Sequence, residues 1–147
     1  MTDETSPALR VALAHHPSPA LQVALAHDTS PALRLALAHH HAWTANDIDL
    51  AMSYLADDVV CDAPAGRLDG RAAYRAFLAP FAGRLLDSTL IAAFGDQDRA
   101  LIMYDTRSTL VASAPAAECL TVVHGKITYN RFIFDRVPFA AARQAMP

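Results

Sequence analysis

The apolar spacing of this chain changes period once, near Asp87. Upstream, apolar residues recur three and four apart, the repeat of an amphipathic helix. Downstream they come in short runs broken by turn residues, the pattern of strands. Helices first and strands afterwards predict an α+β fold. The strand runs are DSTLIAAFG from Asp87, RALIMYDTRST from Arg99, AECLTVV from Ala117 and KITYNRFIFD from Lys126. Turns fall at Gly95–Asp98, around Pro115 and at His124-Gly125, the last spaced for a tight hairpin.

The helical half reads as three segments. SPALRLALAHHHAWTAND begins at Ser30, with Ser-Pro as N-cap and first helical residue. DIDLAMSYLADD follows, capped by Asn46 or Asp47, with Asp57 and Asp58 read as turn residues at its exit. A short strand, DVVCDAP, precedes the third helix, GRAAYRAFLAPFAGRLL. In that helix Tyr74, Phe77, Leu78, Phe81 and Leu85 share a face, and Pro80 should kink or split it.

Three near-copies stand in tandem at the front: SPALRVALAHHP from Ser6, SPALQVALAHDT from Ser18 and SPALRLALAHHH from Ser30. A period of twelve residues is too short for a solenoid unit. Each proline pushes the serine before it out of the helical region, so the copies predict separate short helices. Only the third runs on into a longer helical pattern. The expected organisation is therefore an extension of duplicated helical units over 1–29, a domain over 30–140 and a tail over 141–147. Six of seven histidines, at positions 15, 16, 27, 39, 40 and 41, owe their number largely to the repetition. Converging ligands are not implied, so neither metal nor cofactor is expected.

At 147 residues and 53% apolar, the chain suits one domain with one sizeable core. A net charge of -3 with a single lysine, Lys126, argues against a nucleic-acid binder. No apolar run is long enough for a membrane span. The acidic start Met1-Thr2-Asp3-Glu4 does not read as a secretory leader, which favours a cytoplasmic protein. Cys61 and Cys119 lie in apolar stretches and read as free thiols. Arginine and alanine richness hints at a GC-rich bacterial genome.

The strands carry apolar residues on both faces. Ala100, Ile102 and Tyr104 oppose Leu101 and Met103, while Ile127, Tyr129 and Ile133 oppose Phe132 and Phe134. Helices over one face and a second subunit over the other, as a homodimer, would account for this.

HHHAWTAND, LADDVVCDAPAGRLDG, AAYRAFLAPF and HGKITYNRFIFDRVPF together resemble the SnoaL-like branch of the nuclear transport factor 2-like superfamily, over roughly residues 30 to 140. The resemblance implies a cone, in which a curved antiparallel sheet wraps three helices around a pocket. It also implies small-molecule chemistry, since the family holds polyketide cyclases, ketosteroid isomerases, epoxide hydrolases and non-catalytic binders. The catalytic positions of those enzymes match poorly. The isomerase base falls on Ala63, with Asp62 one residue away and expected to face outward. The isomerase oxyanion donors map near His39 and Cys119, and the cyclase aspartate falls on Phe132. Asp105 and Arg107, at i and i+2 on one strand, form the best remaining acid–cation pair, or else a surface ion pair. Trp43 matches a pocket-lining aromatic of the family.

The expected function is binding of a small apolar molecule in a pocket lined by Trp43, Tyr74, Phe77, Tyr104, Cys119 and Phe132. The alternative is an isomerase, cyclase or epoxide hydrolase using a pocket acid, with Asp105, Arg107, Asp62 and His39 as candidates.

Overall fold

The computed structural model describes residues 30–147. The two upstream repeat copies lie outside the described residues. The elements are α1 (Pro31–Thr44), α2 (Ile48–Ser53), β1 (Leu55–Ala63), β2 (Gly66–Asp69), α3 (Arg71–Ala82), β3 (Leu85–Gly95), β4 (Arg99–Ser108), β5 (Ala116–Val123), β6 (Lys126–Phe134) and α4 (Val137–Gln144). The fold is α+β, with four described helices against a curved, open, six-stranded sheet of order β2-β1-β6-β5-β4-β3. No helix among the described residues is long and apolar enough to cross a membrane.

Alternation decides the long strands. In β4, Ala100, Ile102, Tyr104, Thr106 and Ser108 are buried on the inner face, while Leu101 and Met103 point outward. In β5 the inner set is Ala116, Glu118, Leu120 and Val122. At the β5–β6 turn His124 and Gly125 both take positive φ, 49° and 75°, as a tight hairpin between right-twisted strands requires.

α1 fills the inner face. Its buried stripe of Ala32, Leu33, Ala36, Leu37, Ala42 and Trp43 packs on β3, β4 and β5. The Ser30 hydroxyl does not cap the helix but donates to the Gly95 carbonyl at 2.8 Å. A Cβ on Gly95 would lie 2.8 Å from Leu33 Cβ, so glycine is what lets the helix come this close to the β3–β4 turn. Asp47 caps α2, accepting from the Leu50 amide at 3.2 Å.

Five expectations need correction. α2 stops at Ser53, because Leu55 already pairs with Ile127 in the sheet and Asp57 and Asp58 belong to β1. The sheet is not wholly antiparallel, since β1 runs parallel to β6. The sequence reading also passed over β2 and α4. Finally, a bulge shifts the β5–β6 register between Thr121 and Val122, so Ile127 is buried inside while Tyr129 faces outward. Pro80 sits in the last turn of α3, which ends at Ala82 instead of running on to Leu86.

Candidate functional site

The inner face has two layers, a polar floor and an aromatic mouth. The floor is centred on Glu118, only 3% exposed. Tyr104 Oη donates to Glu118 Oε2 at 2.8 Å, and Asn130 Nδ2 donates to Oε1 at 2.7 Å. The same Asn130 amide donates to Tyr74 Oη at 2.7 Å. One residue each from β4, β5, β6 and α3 therefore meets at one point.

Burial drives the electrostatics of this layer. It raises the Glu118 carboxyl above its ordinary range, against the opposing pull of the bonds from Tyr104 and Asn130. Burial and then the Glu118 charge push both Tyr74 and Tyr104 well above the usual phenol value. Both hydroxyls thus stay protonated. Burial, with Glu118 and Asp62 adding to it, lifts the Cys61 thiol to about 12, which makes it inert as a nucleophile. His39 is pushed by burial down to about 4, although its bond to Ala51 works the other way. Its Nδ1 lies 3.0 Å from the Ala51 carbonyl, so Nδ1 carries the proton of the neutral ring. Nε2 then presents a buried lone pair without a hydrogen-bond partner among the described residues, and the ring stands edge-on to Tyr74 at 5.9 Å.

The mouth is a cavity of about 300 Å³ between α3, the ends of β4 and β6, and α4. Phe77 and Phe81 from α3, Phe132 and Phe134 from β6, and Phe139 from α4 form its wall. Phe132 lies 5.0 Å from Phe134 and 5.9 Å from Phe77, while Phe139 touches Phe81 and Phe134 at 5.8 Å each. These are ordinary distances for mutually packed rings. Arg84, Arg143 and Thr106 supply polar groups, and among the described residues no aspartate, glutamate or histidine lines the cavity. Tyr104 joins the layers, its ring lining the mouth and its hydroxyl bound to Glu118 behind it. A wider trough of about 610 Å³ runs beside α1, bounded by Arg34, Tyr54, Asp98 and His124 among others.

The residues singled out from the sequence divide between these places. Phe77, Tyr104 and Phe132 line the cavity. Trp43 lies deeper, 5.8 Å from Tyr104 and 6.0 Å from Phe81. Tyr74 and His39 belong to the floor. Cys119 does not reach the cavity, because its neighbours Glu118 and Leu120 take the inward positions of β5. Asp62 faces outward, where Arg67 at 2.8 Å and Tyr129 at 2.6 Å hold its carboxyl far below the usual range. Asp105 and Arg107 are not an acid–cation pair. Asp105 anchors the β4–β5 loop, accepting from Ser113 Oγ at 2.8 Å and the Ala114 amide at 2.9 Å. Arg107 is exposed and forms no ion pair among the described residues. Among the same residues, no cluster of three or more His, Cys, Asp or Glu could hold a metal.

Sequence reasoning missed Glu118 and Asn130, three of the five phenylalanines as cavity walls, and both arginines. A signal for Glu118 did exist. The alternation Ala116, Glu118, Leu120, Val122 puts the carboxylate on the apolar face of its strand.

Comparison with known proteins bears on the same residues. The model of one family, the SnoaL-like domain, matches residues 36–130. Among solved structures, the chain is 55% identical to a protein of Kribbella flavida DSM 17836, over 78% of this chain and 95% of that one, with a TM-score of 0.76. Two others are similar in fold alone. One is an LEH-like epoxide hydrolase of M. tuberculosis, at 20% identity, 76% and 88% coverage and a TM-score of 0.62. The other is TerC co-crystallised with polyporic acid, at 24% identity, 79% and 100% coverage and a TM-score of 0.62. No curated protein matches the sequence. With the family's model covering more than half of the chain, from the middle of α1 into β6, the protein belongs to the SnoaL-like domain family.

Proposed function

We propose that the protein binds a small, ring-bearing, largely apolar molecule in the phenylalanine-lined cavity. The observation that carries this reading is the composition of the wall, five phenylalanine rings with no acid or imidazole beside them among the described residues. Such a wall gains from burying an aromatic ligand and offers no group to move a proton to or from it. Tyr104 is the deepest polar contact, held in one orientation by Glu118.

A catalytic reading rests on a different observation. Glu118 is a buried acid with a raised pKa, one hydrogen bond behind a cavity-lining tyrosine. Were Glu118 protonated, it could donate to Tyr104 Oη and free the tyrosine proton for a substrate oxygen that gains charge. The fold-level likeness to an epoxide hydrolase suits such a role. The reaction would still lack a base on the cavity wall, so binding is the better-supported function.

Isothermal calorimetry with 2-naphthamide tests the binding reading on the full chain. The expected result is one site per chain, with a Kd of roughly 10–100 µM for a ligand of this size, weakened about tenfold by Phe132→Ala. Binding that is absent, or indifferent to Phe132→Ala in a folded variant, would contradict it.

A second copy of the chain is the occupant we propose for the outer face. Phe94 is 68% and Ile133 60% exposed, and the register Phe94–Leu101 and Met103–Ala117–Ile133 links them into one apolar patch across four strands. Light scattering should give twice the chain mass, falling to one with Leu101→Glu. A monomer at all concentrations would remove the dimer from the account. The two free cysteines fit a reducing, cytoplasmic setting.

A further inference from the structure

We propose that the ligand of the cavity is an aromatic monoanion, a carboxylic acid in its ionised form, whose ring lies among the phenylalanines and whose carboxylate meets Arg84 and Arg143 at the mouth. This rests on the cavity being a binding site, and it adds the charge and the orientation of what binds.

Two arginines border an otherwise apolar cavity, from two separate parts of the fold. Arg84 lies between α3 and β3, and Arg143 lies in the last turn of α4. Their backbones are fixed, since the Arg84 carbonyl accepts from the Thr109 amide at 3.0 Å and the Arg143 carbonyl accepts from Met146 at 3.3 Å. Neither guanidinium has an ion-pair or side-chain hydrogen-bond partner among the described residues.

Three arginines of the same domain are paired, Arg67 with Asp62, Arg71 with Asp57 and Arg75 with Asp49, while Arg107 is exposed on the outside of the sheet without an ion pair among the described residues. What sets Arg84 and Arg143 apart is that both border the apolar cavity. The chain as a whole carries a net charge of -3, so unneutralised guanidiniums beside an apolar cavity do not follow from a general surplus of basic residues. A planar guanidinium matches a carboxylate two bonds at a time, and adjoining phenylalanine rings reduce the water that would otherwise screen the pair.

The floor sets the direction. It offers Tyr104, whose hydroxyl proton is committed to Glu118, and behind it the Glu118 carboxyl itself. It holds no cation. An acidic ligand therefore enters ring first, with its charge left at the mouth.

The near-isosteric pair 2-naphthoate and 2-naphthamide isolates the charge. Calorimetry on the full chain should show 2-naphthoate binding about tenfold more tightly at low salt. Raising the salt should shrink that preference. Arg84→Gln and Arg143→Gln should each weaken 2-naphthoate about threefold, as partly exposed charge pairs do. Both variants should weaken 2-naphthamide less than 2-naphthoate, and the 2-naphthamide binding that remains shows that the cavity is intact. The double variant should bind the two probes alike. If 2-naphthamide binds as tightly as 2-naphthoate to the unmodified protein, the inference fails while the cavity remains a binding site. A preference that survives the double variant overturns it in the same way. If neither probe binds, the binding reading fails and this inference falls with it.

Discussion

The floor and the mouth of the interior are built on the same strands, yet they treat polar groups in opposite ways. In the floor, Tyr104, Glu118, Asn130 and Tyr74 bond to one another across four elements, leaving only Asn130 Oδ1 and His39 Nε2 without a partner among the described residues. In the mouth, Arg84 and Arg143 border a ring-lined space and pair with nothing among the described residues. β6 shows the change within a few residues, from Asn130 in the floor to Phe132 and Phe134 in the wall. A buried polar network bonded chiefly within itself mainly specifies the fold. Polar groups left unanswered beside an apolar cavity point to something from outside. The difference assigns stability chiefly to the floor and recognition chiefly to the mouth.

The severest test of the floor is Glu118→Ala. It leaves the Tyr104 hydroxyl buried without an acceptor and the Asn130 amide with Tyr74 Oη alone, and should cost about 2–4 kcal/mol in urea unfolding. Glu118→Gln keeps the volume and one acceptor and should cost less. A near-neutral Glu118→Ala would show that the floor does not hold the fold together.

Acid gives the next largest effect. The pKa of His39 falls from 6.5 to about 4 on folding, so the unfolded chain takes up its proton first. Stability from this group is complete above pH 6.5 and is lost as pH falls, by about 3 kcal/mol at pH 4. Glu118 acts in the opposite direction. Its raised pKa contributes stability at low pH that disappears as pH rises through the folded value. Unfolding of the unmodified protein and of His39→Gln between pH 7 and 4 separates the two. The variant should lack the His39 loss. Parallel curves for the two proteins would mean that His39 is not buried neutral.

Phe139→Ala acts on the mouth. Phe139 is 8% exposed and seats α4 against Phe81 and Phe134. Its loss should cost about 2 kcal/mol and weaken 2-naphthoate, because Arg143 rides on the same helix. Trp43 packs on Phe81, the ring that Phe139 seats, so its emission should shift slightly. The His39 loss between pH 7 and 4 should stay unchanged, since the floor does not depend on α4; a change there would couple the layers and blur the division.

The smallest effect belongs to the rim of the mouth. Asp105→Ala releases the β4–β5 loop, whose Leu110 and Ala114 border the cavity, and should cost about 1 kcal/mol, with a weakening of 2-naphthoate of about twofold at most. A strong binding defect would return Asp105 to the site.

How much of this was legible depends on the kind of signal. The four long strands were readable because alternation and turn residues agree, and β4 kept one phase from Ala100 to Ser108. The parallel pairing of β1 with β6 leaves no mark within either segment. β2, four residues long, is too short to show a period. At Thr121–Val122 a bulge changes the phase, so strict alternation mispaired Ile127 with Tyr129. Glu118 was missed by a single position. The family pattern drew attention to Cys119, and one residue along a strand is the difference between the two faces of the sheet. Arg84 and Arg143 lie far apart in sequence, and only tertiary packing brings them to one cavity.

The central claim is that the mouth, not the floor, receives the ligand. A crystal structure with 6-bromo-2-naphthoate tests it most directly, because bromine marks its own position by anomalous scattering. The account expects bromine among Phe77, Phe81 and Phe132, toward Tyr104, with the carboxylate at Arg84 and Arg143. Bromine in the trough beside Tyr54 and His124, on the outer face near Phe94, or with the carboxylate turned inward to Tyr104 would contradict it.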